Sequence, residues 1–203
     1  MGLLSLFFQS PLVFVILTTL LLYSVIFHEV AHGTAALLFG DETAYRDGRL
    51  SLNPAVHIDP IGALMVLLVG FGWAKPVPVN YGVLRDSRFA RVAVALSGCA
   101  VNFFIAVLSF AALRFMTLNP VMIKVLEIVI RINIILGLFN LLPLPPLDGS
   151  RVLFTFLPAS AQRVFARIEP FSFFILIFLL ATGILDPVIS LAEAVVRSAV
   201  GVS

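Results

Sequence analysis

Charge and sulfur are both scarce in this chain. Only 12% of its 203 residues are charged, about half the share of an ordinary soluble domain, too few to coat a water-soluble globule. The single cysteine, Cys99, excludes an intrachain disulfide and a thiolate metal cluster, and it reads as a small packing residue within a helix. A formal net charge of +2, with the basic residues scattered near the ends of apolar runs, lacks the footprint of a nucleic-acid binder. The length suits one compact unit over 1–203 and leaves no room for an appended soluble module. What is abundant is apolar surface. At 61% hydrophobic residues, several runs are long enough to cross a hydrocarbon core of about 30 Å. These features predict an all-α, multi-pass integral protein of the cell membrane, a bundle of about four to six transmembrane helices in contact with lipid.

The first apolar run spans Pro11 to Gly40. Asp41 to Asp59 is polar, and the Asp47-Gly48 turn followed by the alternation Gly48-Arg49-Leu50-Ser51-Leu52 suggests a short hairpin, with Asp41, Glu42 and Asp47 solvated. A second run, Ile61 to Trp73, is short for a span and leads into Gly70-Phe71-Gly72-Trp73-Ala74-Lys75-Pro76-Val77-Pro78-Val79-Asn80, which reads as an extended edge within a re-entrant segment, a short true span being the alternative. Pro76 and Pro78 lack an N–H on one edge, which leaves the other open to a partner strand, with Val77, Val79 and Asn80 as substrate-binding candidates. A third run covers Val92 to Met116 and a fourth Val121 to Leu142, in which Glu127 and Arg131 stand at ion-pair spacing. Three prolines then break the helix in Asn140-Leu141-Leu142-Pro143-Leu144-Pro145-Pro146-Leu147-Asp148-Gly149. Apolar flanks on both sides put this break at membrane depth, where irregular backbone must line a cavity. The core covers about 11–157, and a C-terminal transmembrane helix covers about 170–189. Placing Arg85, Arg88 and Arg91, and Arg151, Arg163 and Arg167, at the cytoplasmic face sets the topology.

Inside the first run stands His28-Glu29-Val30-Ala31-His32. On a helix the two imidazoles project from one face, and Glu29, turned by about 100°, can reach a water between them. A rise of 1.5 Å per residue puts His32 roughly 12 Å and His28 roughly 18 Å from the C-terminal end of the run, submerged but nearer that end. Such groups are costly in a membrane unless they bind something or face a cavity. A hydrolytic zinc site needs three protein ligands and an open position for water. Candidates for the third are His57, Asp59, Asp148 and the remaining acids. His57 and Asp59 more simply organise a turn. Asp148 combines membrane depth with a rigid proline pedestal, and it is the assigned third ligand. A metal-ion or proton transporter is the alternative, although it needs such groups spread along a path through several helices.

The two motifs together resemble the site-2 protease family of intramembrane zinc metalloproteases, whose hallmarks are H-E-x-x-H in one transmembrane helix and N-x-x-P-x-x-x-L-D-G in another. Residues 71–80 and Ser97-Gly98-Cys99-Ala100-Val101-Asn102 resemble its small prokaryotic branch, except that Cys99 replaces a common proline. The resemblance implies one zinc ion per chain, held by His28, His32 and Asp148, with Glu29 as general base and then acid. It implies cleavage within or near transmembrane segments of membrane proteins. It also suggests that Asn140 binds substrate backbone or oxyanion. Asn102 either joins it or makes an interhelical hydrogen bond.

Overall fold

The computed structural model describes residues 7–69, 74–84 and 86–200. Its long elements are α1 (Pro11–Leu38), α2 (Pro60–Val69), α3 (Arg88–Phe115), α4 (Pro120–Asn140), α5 (Asp148–Phe156), α6 (Ala159–Ile168), α7 (Ser172–Ala181) and α8 (Asp186–Val200). Both α1 and α3 have 28 residues, about 42 Å of helix and more than the hydrocarbon core requires. Among the described residues, three stretches are long and apolar enough to cross a membrane: α1, α3 and the nearly continuous Ala159–Ala181. Helix α4 falls short by composition because its 21 residues include Lys124, Glu127 and Arg131, spaced through its first twelve positions. Three spans by this measure stand against an expected four to six.

Side-chain oxygens mark two helix starts. Ser87 accepts the Ala90 N–H at 3.0 Å ahead of α3, and Asn119 accepts the Met122 N–H at 2.8 Å ahead of α4. Each cap contributes about 1 kcal/mol by pairing a donor that the helix cannot satisfy. Helix α3 is the centre of the bundle, packed against α1, α4 and α5. The α3 residues buried in this packing are mostly small: Ala90, Ala95, Gly98, Cys99, Ala106 and Ser109. Without a hydrophobic drive between helices in lipid, such residues permit the close backbone approach that dispersion requires. Because His32 pairs with Val94 and His28 with Asn102, α1 and α3 run antiparallel.

Helix α8 docks on α4 through Val196, packed with Ile130, Ile134 and Ala106 of the bundle. Arg131 there pairs with Glu193 at 2.5 Å, while Glu127 pairs with Lys124 at 2.8 Å. The expected Glu127–Arg131 pair therefore does not form: each charge has a closer partner, one of them on a helix distant in sequence.

The expected hairpin is also absent. Residues 41–59 form one helical turn (Thr43–Arg46) and a 3-10 turn (Pro54–Val56), and the one β pairing among the described residues is an isolated antiparallel bridge between Ile58 and Ala74. Local capping wins over alternation here. Asp41 Oδ1 takes the Thr43 N–H and hydroxyl, Asn53 Oδ1 takes the Ala55 N–H, and Gly48 reverses the chain at φ 63°. His57 and Asp59 do organise turns, His57 Nε2 lying 2.6 Å from the Ser51 carbonyl and Asp59 Oδ1 accepting the Gly62 N–H. Residues 70–73 of the expected extended segment, and Arg85, lie outside the described residues.

Candidate metal centre

Two helices and one break bring the site together. His28 and His32 occupy successive turns of α1, and the two residues are 4% and 7% exposed. The proline break after α4 returns the chain so that Asp148 opens α5. Gly149 makes that return possible, since a side chain there would collide with the backbone of Leu141 and Leu142. The result is a triangle of ligand atoms. His28 Nε2 lies 3.0 Å and His32 Nε2 3.1 Å from Asp148 Oδ2, and the two Nε2 atoms are 3.1 Å apart. Tetrahedral ligands about 2.1 Å from a zinc ion lie roughly 3.4 Å from one another, so three protein atoms of this kind fit one ion and leave a fourth position for water.

Their hydrogen bonding strengthens the fit. His32 Nδ1 is 2.7 Å from the Val94 carbonyl, which only accepts, so Nδ1 carries the hydrogen and Nε2 presents a lone pair. His28 Nδ1 donates to Asn102 Oδ1 at 2.6 Å and leaves its own Nε2 in the same state. Three acceptors thus face one another at about 3 Å. A shared proton would relieve one of these contacts; a metal ion relieves all three. Gly98 provides the room, because a Cβ there would stand 2.5 Å from His32 Nε2 and 2.6 Å from His28 Cε1.

Around the triangle the structure adds contacts that no sequence pattern announced. Cys99 is buried as expected, but its Sγ lies 3.8 Å from Asp148 Oδ2. Tyr81 stacks under Arg151, whose Cζ is 5.6 Å from the ring centroid. Burial pushes the Tyr81 phenol up to about 12, with the Arg151 guanidinium opposing and the Asp148 carboxylate adding to the shift, so it remains protonated.

The chain after residue 73 is a strap held by the Lys75 N–H, which donates to the His57 carbonyl at 2.8 Å, and pinned by side chains at three further points. Arg49 Nη2 donates to the Lys75 and Pro76 carbonyls at 2.7 and 3.2 Å, and the Val77 N–H donates to Glu29 Oε2 at 2.8 Å. The Asn80 N–H donates to Asp41 Oδ2 at 2.6 Å. Asp41 is therefore 1% exposed and structural, against the expectation of a solvated loop acid. Although burial alone would raise its pKa, hydrogen bonds from Thr43 and Asn80 hold the carboxyl below its usual range. Among the expected substrate-binding residues, Val77 and Asn80 have their N–H groups committed to protein carboxylates. Asn140 ends α4, and its Nδ2 donates to the Leu136 carbonyl at 3.0 Å, while its Oδ1 has no partner among the described residues. Asn102 is fully buried behind His28 and makes the interhelical hydrogen bond that was one of its two readings.

Comparison with known proteins agrees with this chemistry. The family model described as Peptidase family M50 matches residues 116–183. The chain is 37% identical over 171 residues to "Putative zinc metalloprotease YwhC" of Bacillus subtilis (strain 168), covering 80% of this chain and 78% of that protein. It is 31% identical over 178 residues to "Putative zinc metalloprotease Rip2" of Mycobacterium tuberculosis (strain ATCC 25618 / H37Rv), covering 83% of this chain and 68% of the other. No solved structure matches. A His-His-Asp donor set, with both histidines buried and Asp148 partly so, on a membrane-type bundle, and relatives aligned over most of their length, together mean that the chain belongs to Peptidase family M50, the site-2 protease family of zinc metalloproteases.

Proposed function

We propose that this chain hydrolyses peptide bonds within or near transmembrane segments of other membrane proteins, using a zinc ion held by His28, His32 and Asp148. The observation that carries this reading is the triangle of mutually facing acceptors at 3.0 to 3.1 Å, buried between helices of spanning length. Bound zinc supplies polarisation of the scissile carbonyl and activation of a water molecule. Glu29, one residue after His28, takes the proton of the attacking water and delivers it to the leaving amine. Asn140, whose Oδ1 has no partner among the described residues, accepts an N–H of the extended substrate backbone.

Substrate must unwind before its carbonyl is accessible, and the strap offers an extended surface for it. Its Val77 carbonyl and Val79 backbone groups have no partner among the described residues, and they are the groups available for pairing. The Val77 N–H becomes available only when it leaves Glu29, so substrate pairing there would also free the general base. The antiparallel run of α1 and α3, with Arg88 and Arg91 at the start of α3, supports a site nearer the cytoplasmic face.

The test is cleavage of a purified transmembrane substrate in detergent or liposomes. Wild type should cleave, and Glu29→Gln should retain zinc while losing about 100-fold or more in turnover, the scale of general-base catalysis. Equal cleavage by Glu29→Gln would remove that residue from the mechanism. Zinc or proton flux through liposomes without hydrolysis would favour the transporter.

A further inference from the structure

The His28 ring is held from behind by polar groups that belong to neither the ligand set nor the solvent. Asn102 on α3 and Asn133 on α4 are both 0% exposed, and Ser24, one turn before His28 on α1, is 5% exposed. Amides at such depth are costly, and leucine would fill the same space at lower cost. Ordinary interhelical glue tolerates either orientation of an amide. Here each has one.

The orientation is set at the far end. The Val129 backbone carbonyl, which only accepts, lies 2.9 Å from Asn133 Nδ2. The second hydrogen of that nitrogen goes to Ser24 Oγ at 3.0 Å, whose own proton is committed to the Leu20 carbonyl at 2.8 Å. Asn133 Oδ1 therefore faces Asn102 and must meet its nitrogen, at 2.8 Å. The Ser24 backbone carbonyl, 3.4 Å from that same nitrogen, demands the same orientation. Asn102 Oδ1 is left to face His28 Nδ1 at 2.6 Å, so Nδ1 carries the hydrogen and Nε2 is free for a metal.

We propose that Asn133 is a positioning residue for the metal centre, acting through Asn102 to hold His28 in the Nδ1–H tautomer with its metal-binding nitrogen unprotonated. His32 reaches the same state without such a chain, its Nδ1 facing the Val94 carbonyl at 2.7 Å and Ser97 Oγ, whose own proton goes to that carbonyl, at 3.3 Å. Outer hydrogen bonds of this kind fix ring orientation, and their loss commonly weakens metal binding by about 10- to 100-fold.

The inference rests on the zinc reading above, and two measurements on the full chain in detergent separate the two. In zinc-free protein at a pH where the rings are neutral, histidine ¹⁵N NMR should show His28 and His32 as Nδ1–H tautomers. His57, whose Nε2 faces the Ser51 carbonyl, should be Nε2–H. Zinc affinity measured against a competing chelator should fall about tenfold in Asn133→Leu. Asn102→Leu should fall at least as far, and the double variant should be no weaker than Asn102→Leu alone, because the relay is already cut. An Nε2–H tautomer for His28 in wild type would overturn the proposal even if the variants fail to fold. So would unchanged affinity in Asn133→Leu, or losses that multiply in the double variant. Zinc retained at full affinity by Asp148→Ala would instead refute the zinc reading and leave the tautomer result standing.

Discussion

A methyl group at position 98 would stand 2.5 Å from His32 Nε2 and 2.6 Å from His28 Cε1, too close for either ring to keep its place. Helix α3 has no slack there, since Val94 and Asn102 on the same face grip the two rings. Gly98→Ala should therefore lower zinc affinity by about tenfold or more while the helix itself, relieved of a glycine, folds at least as readily. Zinc competition alongside circular dichroism would read both effects; unchanged affinity would mean the rings are not confined as described. At this scale the sequence was informative where one short motif supplies two of the grouped donor atoms, as His28 and His32 do in His28-Glu29-Val30-Ala31-His32. Asp148 was legible because its pedestal of prolines implied a break at depth. Asn133 was not legible, because a lone asparagine in an apolar run has no periodic signature, and its meaning comes from Asn102, 31 residues away. Asp41 misled for a related reason: its partner Asn80 lies 39 residues on.

Among the elements, the strap over residues 74–80 couples the loop after α1 to Glu29, the proposed general base. Gly33 admits it: a Cβ there would fall 2.5 Å from Leu50 Cδ2 and 2.7 Å from Val77 Cγ1. Gly33→Val should push the strap outward and break the bond from Val77 to Glu29, so that hydrogen exchange at the Val77 amide accelerates by about tenfold or more. No change in that amide would show that the strap is held elsewhere. Acid should loosen the other end. Since the folded Asp41 pKa is depressed, its contribution is complete above the unfolded carboxylate value of about 4 and is lost as pH falls through the lower folded value. Exchange at the Asn80 amide should rise over that interval in wild type, and Asp41→Asn should lack the transition. The hairpin expected in residues 41–59 failed because its short polar side chains cap local turns, a competition that alternation alone does not reveal. Helices α1, α3 and α4 were legible to within a few residues, because lipid demands continuous hydrogen-bonded runs, but the expected C-terminal helix over about 170–189 was not: Gly183, at φ 73°, turns the chain between α7 and α8.

For the molecule as a whole, the donor atoms come from α1 and from the start of α5, 116 residues apart between His32 and Asp148. An ion shared by these atoms links two parts of the bundle that otherwise meet through α3, and binding to the folded state alone stabilises it. Chelation should accordingly lower the unfolding temperature of the detergent-solubilised chain, and added zinc should restore it. A temperature indifferent to chelator would argue that no ion bridges the bundle. The most direct measurement is zinc X-ray absorption of the purified chain, joined to metal content. One zinc per chain is predicted, with a first shell of nitrogen and oxygen alone, two imidazoles among them, and loss of the metal in Asp148→Ala. A sulfur neighbour from Cys99, or undiminished zinc in Asp148→Ala, would contradict the His28–His32–Asp148 centre.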